Sequence, residues 1–120
     1  MFEYWMDMDL KRLPAVKTVN GRGFSADSGA NLIGVRVTDD GEPVALAGSV
    51  KANIIRGDGV TVETDGSIQN TNEAYVVLPE AAYAVPGKIG VYLRIEDDGQ
   101  VITLGGAEGY VIQSVTATTI

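Results

Sequence analysis

Val50-Lys51-Ala52-Asn53-Ile54-Ile55-Arg56-Gly57-Asp58-Gly59-Val60-Thr61-Val62-Glu63 holds two strands and the turn that joins them. Val50, Ala52 and Ile54 alternate with Lys51, Asn53 and Ile55, and a period of two gives a strand one buried face and one wet face. Asp58-Gly59 then supplies the turn: aspartate bonds its own backbone locally, and glycine accepts the positive φ that hairpins require. Val60–Glu63 begins the return strand.

The same pattern extends in both directions. Tyr4, Met6, Met8 and Leu10 alternate with Trp5, Asp7 and Asp9, and Ile33, Val35 and Val37 with Gly34, Arg36 and Thr38. Ile89, Val91, Leu93 and Ile95 alternate with Gly90, Tyr92, Arg94 and Glu96. Shorter runs at Glu73–Leu78 and a long one from Gln100 to Val115 bring the total to about eight strands. Gly105-Gly106 and Gly109 predict a bulge or break in the last. Asp39-Asp40-Gly41, Asp65-Gly66 and Asp97-Asp98-Gly99 repeat the aspartate-glycine turn signal. Short strands between such turns predict an all-β antiparallel sandwich or barrel. The best helical turn is Pro79-Glu80-Ala81-Ala82-Tyr83-Ala84, opened by proline at the favoured first position and stopped by Pro86-Gly87. No linker or repeat divides residues 1–120, which read as one domain.

Composition narrows the chemistry. The chain has no histidine and no cysteine, so a Ser-His-Asp triad, an imidazole or thiolate metal site, a disulfide and a cysteine nucleophile are all excluded. Its net charge is −7, and the basic residues stand singly apart from Lys11-Arg12, which argues against nucleic-acid binding and against an anionic membrane surface. No apolar run approaches the roughly 20 residues of a membrane-spanning helix.

The remaining candidates are carboxylates, aromatics and one tripeptide. Asp7 and Asp9 lie two apart on one strand face, where a cation could sit between them. Two carboxylates fall short of the roughly 6–8 oxygens that calcium takes, and the pair reads as a wet face that discourages edge pairing. Arg56-Gly57-Asp58 spells the tripeptide that integrins read, in a segment that doubles as the hairpin turn. Phe2, Tyr4 and Trp5 cluster at the N-terminus. With Phe2, Tyr4, Met6 and Met8 facing the core, Trp5 points outward beside Glu3 and Asp7. There it either covers its own domain or anchors a partner.

The ordered pieces Ile55-Arg56-Gly57-Asp58-Gly59-Val60-Thr61-Val62, Ala74-Tyr75-Val76-Val77-Leu78-Pro79 and Tyr83-Ala84-Val85-Pro86-Gly87 resemble the N-terminal domain of phage upper baseplate proteins. That family carries an I-R-x-D-G-x-T-V hairpin, then A-Y-V-x-L-P and Y-x-V-P-G, and it opens on an acidic-aromatic start similar to Tyr4–Leu10. Gly57 departs from the pattern, since a larger residue is common there. The resemblance implies an immunoglobulin-like sandwich whose structural motif is Arg56, Asp58, Gly59, Tyr75, Leu78, Pro79, Tyr83, Pro86 and Gly87, with the Tyr83 hydroxyl bonded to a backbone group. It also implies a non-enzymatic role in the virion, with no cofactor and no catalytic or metal residues. Such a domain attaches a peripheral baseplate to the tail hub or distal tail protein, while the rest of the protein carries the receptor-binding protein. The expected protein is made in the bacterial cytoplasm, is longer than 120 residues and fibre-like, and trimerises beyond Ile120. Phe2, Tyr4 and Trp5 are the expected contact. Two other readings stand beside it: the base of a capsid head fibre or decoration protein, and a carbohydrate-binding module drawing on Tyr4, Trp5, Tyr75, Tyr92 and Tyr110.

Overall fold

The computed structural model describes residues 2–11, 16–24 and 31–111, with side chains over 3–11 and 31–111. The strands are β1 (Phe2–Asp9), β2 (Val16–Phe24), β3 (Asn31–Asp39), β4 (Glu42–Pro43), β5 (Ser49–Ile55), β6 (Thr61–Asp65), β7 (Ser67–Gln69), β8 (Glu73–Val77), β9 (Gly87–Asp97) and β10 (Gln100–Val111). One sheet runs β1-β3-β8-β7, with β4 beside the end of β3; the other runs β2-β10-β9-β5-β6. The expected β-sandwich is therefore present. Three of its strands are ones that alternation does not announce: β2 has an irregular pattern, and β4 and β7 are only two and three residues long. Most pairings are antiparallel, but β1 joins β3 in parallel and β2 joins β10 in parallel, so each N-terminal strand completes one edge of a different sheet.

One apolar layer fills the space between the sheets. Ile33, Val35 and Val37 come from β3, Ala74 and Val76 from β8, Val50, Ala52 and Ile54 from β5, and Ile89, Val91, Leu93 and Ile95 from β9. Each isoleucine, leucine or valine so taken out of water contributes about 1.5–3 kcal/mol. Met6 is buried on the inner face of β1, with Tyr4 and Met8 packed against the cluster, as the alternation predicts; the Phe2 side chain lies outside the described residues.

The turns follow their chemistry with one correction. Asp40 and Gly41 both have positive φ, 53° and 84°, and so do Asp98 and Gly99 at 50° and 81°, the pair of conformations that a tight hairpin matched to strand twist requires. The β5–β6 turn closes by the Gly59 amide donating to the Arg56 carbonyl at 2.9 Å. Asp65-Gly66 is not a hairpin turn. Gly66 lies outside the positive-φ region, and here β6 of one sheet passes directly into β7 of the other. A Cβ at Gly66 would run into the Tyr75 carbonyl oxygen and lie 2.6 Å from Val76 Cγ1 and 2.9 Å from Val50 Cγ1. Glycine is needed there for close approach between sheets.

The helical turn is a 3-10 turn over Glu80–Tyr83, with Pro79 as the residue just before it. Gly87, at φ 121°, redirects the chain into β9. Tyr83 packs against the core as expected, but its hydroxyl accepts from the side chain of buried Asn31 at 2.7 Å and not from a backbone donor. The ladder between β10 and β9 shifts register between Thr103 and Gly105, and that between β10 and β2 shifts between Glu108 and Tyr110, where the glycines predict irregularity. The expected continuation of the last strand to Val115 lies outside the described residues.

Candidate functional site

The parallel pairing of β1 with β3 sets Trp5 opposite Gly34, and the antiparallel pairing of β3 with β8 sets Gly34 opposite Tyr75. Gly34 therefore sits between two aromatics on the outer face of the sheet. The indole covers it closely: a Cβ at Gly34 would meet Trp5 Cε3 at 2.5 Å and Cη2 at 2.7 Å. The Trp5 and Tyr75 ring centroids are 6.5 Å apart and tilted by 59°, a favourable aromatic geometry. Trp5 Nε1 donates to Glu3 at 2.8 Å, and the Arg36 guanidinium lies 4.7 Å from the indole centroid. That cation–π contact contributes about 0.5–1 kcal/mol at an exposed position.

A charged row runs beside the aromatic one. Asp7 lies opposite Arg36, and Arg36 opposite Glu73. Arg36 Nε donates to Glu73 Oε2 at 2.8 Å, while Glu73 Oε1 accepts from Gln69 at 3.0 Å and Asn70 at 2.9 Å. These donors, the two amides foremost, hold the Glu73 carboxyl below its usual range. On the other side Val77 lies opposite Leu32, and Leu32 opposite Glu3. The face thus has an apolar and aromatic centre bordered by Glu3, Asp7, Arg36 and Glu73.

Asp9 has a role that spacing does not reveal. Its carboxylate accepts from the backbone N–H of Lys11 at 2.9 Å, Asp40 at 3.1 Å and Gly41 at 2.9 Å, and from the Thr38 hydroxyl at 3.0 Å. Those backbone donors hold it far below the ordinary carboxylate range, so it pins the end of β1 to the β3–β4 turn as an anion. Among the described residues no cluster of three or more potential ligands could hold a metal ion.

Arg56 and Asp58 face each other across the hairpin turn, Nε to Oδ1 at 3.1 Å and Nη2 to Oδ2 at 2.6 Å, and Arg56 Nη1 also donates to the Ala81 carbonyl at 3.2 Å. The pair ties the β5–β6 turn to the 3-10 turn, and its charges satisfy one another inside the domain. Gly57 has an architectural reason to lack a side chain: a Cβ would lie 3.1 Å from the Pro86 carbonyl oxygen. Leu78 is buried and its amide donates to the Asn31 carbonyl at 2.9 Å. The Arg56–Gly59 turn, Leu78–Pro79, Tyr83 and Pro86-Gly87 thus meet around the 3-10 turn. Trp5 and Tyr75 belong to the separate outer face, and Tyr4 lies against the core.

No family model matches the chain, and no curated protein matches it. Ten chains among the solved structures do. One is the N-terminal domain of phage TP901-1 ORF48, with a TM-score of 0.55 and 13% sequence identity, covering 92% of this chain and 96% of that one. At this identity the likeness is one of fold.

Proposed function

We propose that this chain is a non-enzymatic docking domain of a phage or prophage tail, which holds a peripheral baseplate or fibre protein on the tail hub or distal tail protein. One observation carries the reading. The fold is shared, over 92% of this chain and 96% of the other, with a domain taken from the N-terminus of a phage protein. The motif order from Arg56 to Gly87 supports the baseplate assignment.

The outer face around Trp5 supplies a contact of the right anatomy. Interfaces concentrate their binding energy in aromatic and arginine anchors at the centre, enclosed by a polar rim. Trp5, Tyr75 and Arg36 are such a centre, and Glu3, Asp7 and Glu73 are such a rim. The protein is proposed to continue beyond Ile120 into a fibre segment that trimerises and carries the receptor-binding protein.

Mixing the purified chain separately with tails and with empty capsids, followed by sedimentation, tests the assignment. Co-sedimentation with tails alone is expected. Co-sedimentation with capsids alone would move the domain to a head fibre, and binding to neither would overturn the docking role.

A further inference from the structure

The outer face of the second sheet carries a feature that docking through Trp5 does not use. Tyr92 on β9 lies opposite Gly106 on β10, and Gly90 precedes it on the same face of β9. A Cβ at Gly90 would meet Tyr92 Cε2 at 2.7 Å and Oη at 2.8 Å, and one at Gly106 would meet Cε1 at 2.9 Å. Both edges of the ring thus rest on backbone where no side chains stand. The ring covers Gly90 and Gly106 and is itself half-buried. Its hydroxyl donates to Glu108 Oε1 at 3.3 Å, and burial, followed by the nearby carboxylate, raises the phenol pKa, so it stays a neutral donor.

Tyr92 lines a groove of about 310 Å³ together with Ile55 of β5 on one side, Glu108 of β10 on the other, and Lys88 and Gly90 of β9 between them. Lys88 Nζ and Glu108 Oε2 stand 3.8 Å apart, and Lys88 is two-thirds exposed (66%), which leaves it ammonium donors for a ligand. Farther down the face Arg94 is engaged by Glu63, Glu96 and Asn53.

We infer that this groove binds a single neutral pyranose unit of a glycan. A pyranose has an apolar C–H face that stacks on the electron-rich face of an aromatic ring, and ring hydroxyls that both donate and accept. Tyr92 is the platform, Glu108 the acceptor and Lys88 the donor. The volume is at the lower limit of small-ligand sites, about 300 Å³, which suits one ring and not a long ligand. The paired opposite charges of Lys88 and Glu108 favour a neutral ligand over an ionic one. This inference does not depend on the tail assignment.

The test is an amide NMR titration of the whole chain with glucose, galactose, mannose, rhamnose and N-acetylglucosamine. The expected result is saturable shifts with at least one sugar, confined to Ile55, Gly57, Lys88, Gly90, Tyr92 and Glu108, with a dissociation constant of about 1 mM, or roughly −4 kcal/mol. Tyr92→Ala is expected to abolish them, and Glu108→Gln to weaken binding several-fold while leaving the amide spectrum of a folded chain. Should Tyr92→Ala fail to fold, Glu108→Gln carries the test alone. No saturation with any of the five sugars, shifts located elsewhere, or binding unchanged in Glu108→Gln would overturn the inference.

Discussion

Gly66→Ala is the substitution that asks most directly whether one continuous strand crosses from sheet to sheet. The added methyl would meet the Tyr75 carbonyl oxygen, Val76 Cγ1 at 2.6 Å and Val50 Cγ1 at 2.9 Å. Valine methyls can give a little. The carbonyl cannot, because Tyr75 is paired with Ser67 in the β7–β8 ladder immediately after the crossing. Overpacking of this kind costs about 1–3 kcal/mol, more where backbone must move. Against it stands the unfolded-chain entropy that alanine removes, about 0.4–1 kcal/mol at a φ it can adopt. Because a backbone oxygen has to move, the overpacking cost here lies at or above the top of that range, about 3–4 kcal/mol, and the net expectation is a loss of about 2–3 kcal/mol from a total of about 5–15 kcal/mol. With an m-value of about 1–3 kcal/mol per molar urea, the unfolding midpoint falls by about 1–2 M. Trp5, the sole tryptophan, reports the transition by fluorescence, and far-ultraviolet circular dichroism provides a second probe. Gly59→Ala is the matched control: nothing lies within 4 Å of its Cβ, so only its φ of +84° opposes alanine, at about 1–2 kcal/mol. A Gly66→Ala loss no larger than that of Gly59→Ala would refute the crossing.

Other outcomes follow from single contacts. Asp9 has a folded pKa below its unfolded one, so its stabilisation is complete above about pH 4 and is lost as the pH falls further. Asp9→Asn is therefore expected to be less stable at neutral pH and to show a shallower acid decline in urea midpoint; parallel curves would contradict the clamp. Tyr83→Phe deprives buried Asn31 of a 2.7 Å acceptor and is expected to cost about 1–2 kcal/mol, measured by the same unfolding curve. Trp5→Ala is expected to leave the domain folded and to weaken tail binding by more than tenfold, the loss of an anchor worth about 2 kcal/mol or more, read by titration calorimetry. Unfolding of that variant would make Trp5 a core residue. Tyr92 is expected to ionise above the ordinary tyrosine range in a spectrophotometric titration, a delay that Glu108→Gln reduces and that burial alone would preserve.

Much of the fold was legible because a strand with one wet face has to alternate. Val50 to Ile55 and Ile89 to Glu96 show it, and Asp40-Gly41 and Asp98-Gly99 supply the turns their positions suggest. β2 was not legible: Val16–Phe24 mixes lysine, threonine, asparagine, arginine and two glycines with no clean period of two, and no local signal encodes its parallel pairing with β10. Asp65-Gly66 looked like its neighbours because the residue pair is the same; only the proximity of Tyr75 and Val50 distinguishes close approach from a turn. The site was half visible. Alternation sends Trp5 outward, but its place over Gly34 depends on a parallel register between β1 and β3 that no local signal encodes. In the sequence Asp9 is indistinguishable from surface charge, because its acceptor role depends on Thr38, Asp40 and Gly41, about thirty residues away. Tyr92 is one aromatic among several in the sequence, and only the pairing of β9 with β10 sets Gly106 as well as Gly90 against its ring.

The tail assignment is tested most directly by mass spectrometry of phage particles separated into tail and capsid fractions after induction of the source strain. The account predicts peptides of this chain in the tail fraction, at a constant ratio to the distal tail protein. Their absence from particles altogether, or their recovery with capsids alone, would contradict it.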